Sequence, residues 1–267
     1  MDVYELLGEI NSSKKYAGIC EETILRILSS EITKHKKSKE VVKSVKNRLH
    51  QITGAFLNET DPIKARRLLD SWNESDPADI ARSLLALHAS SRERLDFYPE
   101  LLGDIFSVTG AGSVLDLACG FNPFAMALNE CNPVTEYFAT DIHFEIIELV
   151  GRFFSLAGIK GEAFVSDILY KIPAKKVHNV ILFKLLPLLE QQKKGCSEAL
   201  LSGLETEFIT ITFPTRSISG KNVGMVKTYG AFIKTVCPES RYEYCFEKEY
   251  KNELLYIVRQ KNSSISL

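Results

Sequence analysis

No apolar run in the chain reaches the roughly 18–20 residues that a membrane-spanning helix needs. The opening MDVYELLGEI is acidic and lacks the pattern of a secretion signal, so a cytoplasmic protein is expected. The six cysteines (Cys20, Cys119, Cys131, Cys196, Cys237 and Cys245) form no C-x-x-C pair, and there is no His-rich spacing beside them. That argues against zinc and fits reduced thiols. Internal repeats and low-complexity segments are absent, and so is any excess of charge, the net value being −1. A uniformly basic nucleic-acid binder is thereby excluded, although a local basic face is not. With 267 residues, 45% of them hydrophobic and 25% charged, the composition is that of an ordinary globular protein of one large domain, or a core domain plus a smaller one.

Also missing is G-x-G-x-x-G. In SVLDLACGFNPF (113–124) an apolar strand-like run ends in Asp116, and Gly120 sits in the turn that follows. Asn122 and Pro123 then open a helix, Asn as N-cap and Pro at the first helical position. Ala118 stands where a dinucleotide site wants its first glycine, and Pro123 removes an N–H that a diphosphate would use. Yet Asp141 ends the next strand in EYFATDI, about where a ribose-binding carboxylate belongs, and Asp167 ends a third in FVSDIL. A cofactor with ribose and adenine but no phosphate, S-adenosylmethionine, fits this pattern. A single Asp after a strand is a common turn residue; three in succession favour a site. Cys119, beside the glycine, is either a nucleophile or a small buried residue that lets the turn pack.

Residues 1–105 read as helices, with Asp61-Pro62 and Asp76-Pro77 as helix starts. From about 106 strand-like runs (113–118, 134–141, 161–166, 177–184, 206–213) alternate with helical ones (123–131, 143–157, 188–202, 222–237). This alternation predicts a parallel sheet covered on both faces. YEYCFEKEY and ELLYIVRQ are separated only by Lys251-Asn252, which permits a hairpin and no crossover. The expected fold is a doubly wound α/β sheet of the seven-stranded, Rossmann-like, class I S-adenosylmethionine-dependent methyltransferase form. An all-helical extension (1–105) precedes the cofactor-binding domain (106–267).

Within the extension, Lys34 to Arg48 holds seven Lys/Arg against one Glu. Val41, Val42, Val45, Leu49 and Ile52 have helical spacing, which puts Lys39, Lys43, Lys46 and His50 on the opposite face. With Lys14, Lys15 and Arg48 they make a candidate phosphate-contacting surface, against the plainer reading of a solvated face.

Together, SKKY (13–16), RLHQITGAF (48–56), HASSRERL (88–95), DLACGFNP (116–123), FKLLPLLEQQ (183–192) and FPTRSISGKNVGM (213–225) resemble one family. It is the aminoglycoside-resistance 16S rRNA (guanine-N7) methyltransferases. Departures are small: Ala118 where many members carry glycine, and Ser91 where Thr is commoner. The resemblance implies transfer of a methyl group from S-adenosylmethionine to N7 of a decoding-site guanine in the 30S subunit, with the helical extension docking on rRNA. It places His88, Ala89, Ser90, Arg94, Ala118, Gly120, Asp141, Asp167, Ile168, Phe183 and Gln192 around the cofactor. Arg94 would hold the methionine carboxylate. His88 fits a core histidine as well, and Phe183 plain core. Lys184, Arg216, Lys221 and Met225 would position the target, Lys184 and Met225 having structural alternatives. The fourth strand lacks the N/D-P-P-Y/F element of amino-group methylation. N7 needs no general base, so the want of an acid/base pair is expected. Two alternatives stay open: methylation of another structured RNA, and a non-catalytic RNA-binding protein with a degenerate cofactor fold.

Overall fold

The structure, a computed structural model, describes residues 2–57, 61–129, 133–215 and 224–261, without the side chains of 54–57. Seven strands form one sheet in the order β3-β2-β1-β4-β5-β7-β6. These are β1 Gly112–Leu117, β2 Val134–Asp141, β3 Gly161–Val165, β4 Val177–Phe183, β5 Thr206–Pro214, β6 Tyr242–Glu249 and β7 Glu253–Gln260. The first five are parallel, while β7 runs antiparallel to both β5 and β6. This is the expected topology, hairpin included. Alternate side chains of the central strands feed two cores: Val114 and Ile181 enter one, Leu115, Leu117, Val180 and Leu182 the other.

The helices before the sheet are α1 Val3–Asn11, α2 Glu21–Ile32, α3 Ser38–Leu57, α4 Pro62–Asp70, α5 Pro77–Ala86, α6 Ala89–Arg92 and α7 Tyr98–Thr109. Asp61 and Asp76 cap α4 and α5 by accepting from Lys64 N and Ala78 N, with proline in the first turn as expected. The division at 105/106 falls inside α7. Apolar packing divides the helical region earlier: α1–α3 close on their own core, from Leu6 to Ile52, whereas α4, α5 and α7 share the core of the sheet. An isolated bridge ties the first unit to the sheet, Ile19 pairing with His143 just after β2. Cys20 N donates to Ile142 O (2.8 Å) and Phe144 N to Gly18 O (2.9 Å).

Three local expectations are corrected. Asp116 lies within β1, 1% exposed, and does not end it. Asn122 is the first residue of a 3₁₀ helix, Asn122–Leu128, and no N-cap: its side chain turns inward, Nδ2 donating to Asp116 (2.7 Å) and Oδ1 accepting from Tyr98 (3.0 Å). The helix expected over 188–202 is two, α9 Leu185–Gln192 and α10 Cys196–Ser202. Gly195 (φ 79°) breaks it, and the Glu190 carboxylate caps α10 by accepting from Gly195 N (2.6 Å) and Ser197 N (2.9 Å). The remaining helices are α8 Phe144–Ala157 and α11 Met225–Val236.

Candidate active site

A pocket of about 1000 Å³, its open mouth included, lies at the carboxyl ends of β1, β2 and β4, where the strand order reverses. Ligands of open α/β sheets sit at such switch points, and the size suits a nucleoside with an amino-acid tail. The turn leaving β1 takes left-handed backbone at Ala118 (φ 55°) and Gly120 (φ 50°). A Cβ on Gly120 would stand 2.8 Å from His88 Cε1, so only glycine fits. His88 in turn stacks on Phe121, centroids 5.4 Å apart, and lines the pocket. It thus packs in the core and faces the cavity at once. Burial drives its pKa down to about 4, so at neutral pH it is a neutral wall.

Asp141 ends β2, and both its oxygens are already aligned: Oδ2 accepts from Gly120 N and Oδ1 from His143 N, each at 3.1 Å. Each oxygen keeps lone-pair capacity for a further donor. Asp167, two residues past β3, accepts from Leu169 N (2.9 Å) and Arg26 Nε (2.8 Å). Ile168 and Ser90 line the pocket as expected, whereas Ala89 is not part of its wall.

Arg94 is 2% exposed and donates from Nε to both oxygens of Glu253 (2.9 and 2.8 Å). Phe183 lies 4.7 Å beneath the guanidinium carbon, so it serves as a platform for Arg94 besides packing in the core. Burial opposes the charge, but Glu253 more than offsets it and the pKa rises. Arg94 lines the pocket, and its Nη2 is buried without a hydrogen-bond partner. An orphaned cationic N–H is costly, and the carboxylate of an amino-acid tail would satisfy it. Gly120, Asp141, Asp167 and Arg94 thus fit S-adenosylmethionine.

Lys184 holds the left-handed conformation (φ 54°) after β4 and lines the pocket. Its Nζ pairs with Glu93 (2.5 Å) and Glu253 (3.3 Å). Met225 starts α11 half-buried and outside the pocket wall. Arg216 and Lys221 lie outside the described residues. Gln192 lines the pocket, its Oε1 accepting from Arg26 Nη2 (3.0 Å).

Several wall residues escaped sequence reasoning. Arg26 of α2, Ile52 and Thr53 of α3, and His143 all line the pocket, and Glu253 supports it. Only Glu253 had a sequence signal, an acid opening the apolar run ELLYIV. Cys119 is buried and its thiol is pushed well up, which leaves it a packing residue. Among the described residues no three His, Cys, Asp or Glu side chains could hold a metal ion.

Beneath the turn, burial raises the Asp116 carboxyl to about 7 despite donors from Asn122 and Tyr137 (2.8 Å). The folded state therefore keeps a proton between pH 4 and 7 that the unfolded chain releases. Stability from this group falls as pH rises through that window. His88 has the opposite sense, its contribution falling as pH drops from 6.5 toward 4. In Asp116→Asn this falling slope is removed, while the rising slope from His88 stays. Melting followed from pH 4 to 7 should show the variant gaining on the parent protein by up to about 1.4 kcal/mol per pH unit. Parallel curves would mean that Asp116 ionises normally in the fold.

On the basic surface, Val41, Val42, Val45, Leu49 and Ile52 are buried, and Lys39, Lys43 and His50 are exposed with Lys46 half-exposed beside them. Lys14 and Lys15 are exposed too, Lys15 Nζ lying 3.1 Å from His50 Nδ1. Arg48 departs from this face. It turns inward to Glu31 (2.8 Å) and the carbonyl of Gln192 (3.3 Å), so it braces α3 against α2 and α9. Burial opposes ionisation of Glu31, yet donors from Lys34, Ser44 and Arg48 hold its pKa at about 2.

In sequence and fold the chain is similar to known ribosomal RNA methyltransferases. The sequence profile described as "Ribosomal RNA methyltransferase (FmrO)" matches residues 12–257. A 16S rRNA (guanine(1405)-N(7))-methyltransferase of Serratia marcescens is 34% identical over 260 residues, covering 97% of this chain and 99% of that protein. One of the same name from Frankia casuarinae is 32% identical, covering 93% and 90%. The crystal structure of the 16S rRNA methyltransferase RmtF with S-adenosyl-L-homocysteine superposes with a TM-score of 0.87 at 34% identity, covering 98% of this chain and 100% of that one. The 16S rRNA methylase RmtB gives 0.84 at 30% identity, covering 98% and 99%.

Proposed function

Because this chain belongs to the FmrO family of ribosomal RNA methyltransferases, we propose that it methylates N7 of the guanine equivalent to position 1405 of 16S rRNA, within the 30S subunit. It is an S-adenosylmethionine-dependent enzyme, and the product confers aminoglycoside resistance. A methylated N7 loses an acceptor and gains charge, which repels a cationic drug. The observation that carries the docking part of the reading is the position of α3. Its inner face supplies Ile52 and Thr53 to the pocket, while its outer face carries Lys39, Lys43, Lys46 and His50. One helix thus joins a phosphate-contacting surface to the cofactor site, in a protein that works where its rRNA substrate is, in the cytoplasm.

S-adenosylmethionine supplies an electrophilic methyl group on a sulfonium. The chain's residues orient it: Arg94 takes the carboxylate at its unpartnered Nη2, Asp141 the ribose hydroxyls, and Asp167 with Ile168 the adenine. Gln192 closes that end and Phe183 supports Arg94. Since the N7 lone pair is unprotonated and lies in the base plane, no side chain has to take a proton, and catalysis is alignment. Arg216, Lys221 and Met225, with Lys184, are assigned to holding the target, a base that must leave its stack to be reached.

Borohydride reduction with aniline cleavage, read by primer extension, should reveal one modified decoding-site guanine in 30S subunits and none in free 16S rRNA. Equal modification of free rRNA would instead favour an enzyme that needs no assembled subunit. Single-turnover transfer should be nearly flat across neutral pH, and Cys119→Ser should turn over normally. A steep pH dependence, or a folded but inactive Cys119→Ser, would contradict direct attack by N7.

A further inference from the structure

Arg26 belongs to α2, in the unit that carries the basic surface, yet its guanidinium forms part of the cofactor pocket wall. Nε grips Asp167 Oδ2 at 2.8 Å while Nη2 reaches Gln192 Oε1 at 3.0 Å. Asp167 Oδ1 is held from the other side by Leu169 N at 2.9 Å. The carboxylate is 5% exposed, and these two donors fix its plane. Each oxygen still has a lone pair to offer an exocyclic amino group. Arg48 completes the clamp, bonding the carbonyl of Gln192 while its own charge is matched by Glu31.

We propose that Arg26 is a positioning residue for the adenine end of the cofactor, acting through Asp167. The inference rests on the reading that Asp167 faces the adenine. The fork geometry of arginine matters here: one planar group orients a carboxylate and an amide that flank the same end of the pocket. Without Arg26, Asp167 is left as a buried carboxylate with one backbone donor. It is then free to rotate and better solvated only by water entering the pocket. The adenine amino group loses a preoriented acceptor, and discrimination for adenine over a 6-oxo purine goes with it.

The test is calorimetric titration of the full-length protein with S-adenosylhomocysteine and with its inosine analogue, which replaces the amino group by oxygen. Arg26→Ala should weaken S-adenosylhomocysteine by about tenfold or more and lower the preference over the inosine analogue. Arg26→Lys, which keeps the charge but loses the fork, should fall between. Asp167→Asn should weaken S-adenosylhomocysteine comparably, and the double variant should bind no worse than the weaker single one. A general loosening of the fold would weaken both ligands equally and leave their ratio unchanged, which overturns the proposal, as would additive losses in the double variant. If Asp167→Asn weakens binding while Arg26→Ala does not, the inference fails and the adenine assignment survives. If Asp167→Asn binds normally, that assignment fails and takes the inference with it. Should Arg26→Ala not fold, Arg26→Lys carries the same comparison of ratios.

Discussion

Asp141→Ala should lose cofactor affinity by roughly 10- to 150-fold, which corresponds to about 1.5–3 kcal/mol for a charge-assisted hydrogen bond. The upper part of that range is expected because the carboxylate has two tasks. It is the acceptor proposed for ribose, and it ties the turn after β1 to the turn after β2 through Gly120 N and His143 N. Its removal leaves both N–H groups without this acceptor next to left-handed backbone at Ala118 and Gly120. Asp141→Asn separates the tasks, since the amide keeps one acceptor oxygen but turns an N–H₂ toward one of the two backbone donors. It should bind more weakly than the parent and better than the alanine variant. Calorimetry with S-adenosylhomocysteine reads the order directly. Affinity within twofold of the parent in Asp141→Ala would remove Asp141 from the ribose site.

The second large effect belongs to α3. Reversing Lys39, Lys43 and Lys46 to Glu changes the outer face from attraction to repulsion without touching the buried stripe of Val41, Val42, Val45 and Leu49. The side chain of Lys46 is replaceable, because the contact its residue makes with Tyr16 uses the backbone carbonyl (3.0 Å). Subunit binding should fall by about a hundredfold or more, while cofactor affinity holds. In the parent protein binding should weaken steeply with salt, as each phosphate contact releases counterions. Filter binding of 30S subunits across a salt series measures both. A triple variant that still binds, or a salt-insensitive complex, would reduce α3 to a solvated face. Arg48 does not belong in the set: its loss would take one of three donors from the buried Glu31 and loosen α3 from α9, and that would mimic a docking defect.

How these residues divide between an exposed face and a bracing contact shows where sequence reading stops. Val45, Leu49 and the exposed lysines follow from helical spacing alone. Arg48, three residues after Val45 and next to Leu49, sits on the edge of the buried stripe. Periodicity does not say which way a long side chain at such an edge will turn. The inward turn is set by Glu31 and Gln192, which only the folded chain brings near. Asn122 is a similar case. An Asn-Pro pair before an apolar run predicts a cap, but buried Asp116 and Tyr98 compete for the same amide and win.

The sequence by itself determined what depends on near neighbours. Strand alternation set the five parallel strands, Asp-Pro pairs set the starts of α4 and α5, and a short link set the C-terminal hairpin. A glycine and an acid at nucleotide-site spacing marked Gly120 and Asp141. Tertiary structure alone decided which charges meet. Arg94 and Glu253 are 159 residues apart, and Arg26 and Asp167 are 141 apart. Each pair forms because the sheet order and the bridge at Ile19 bring distant elements to one pocket edge. A side chain's charge is written in the sequence, but the partner that makes its burial tolerable is a property of the assembled fold.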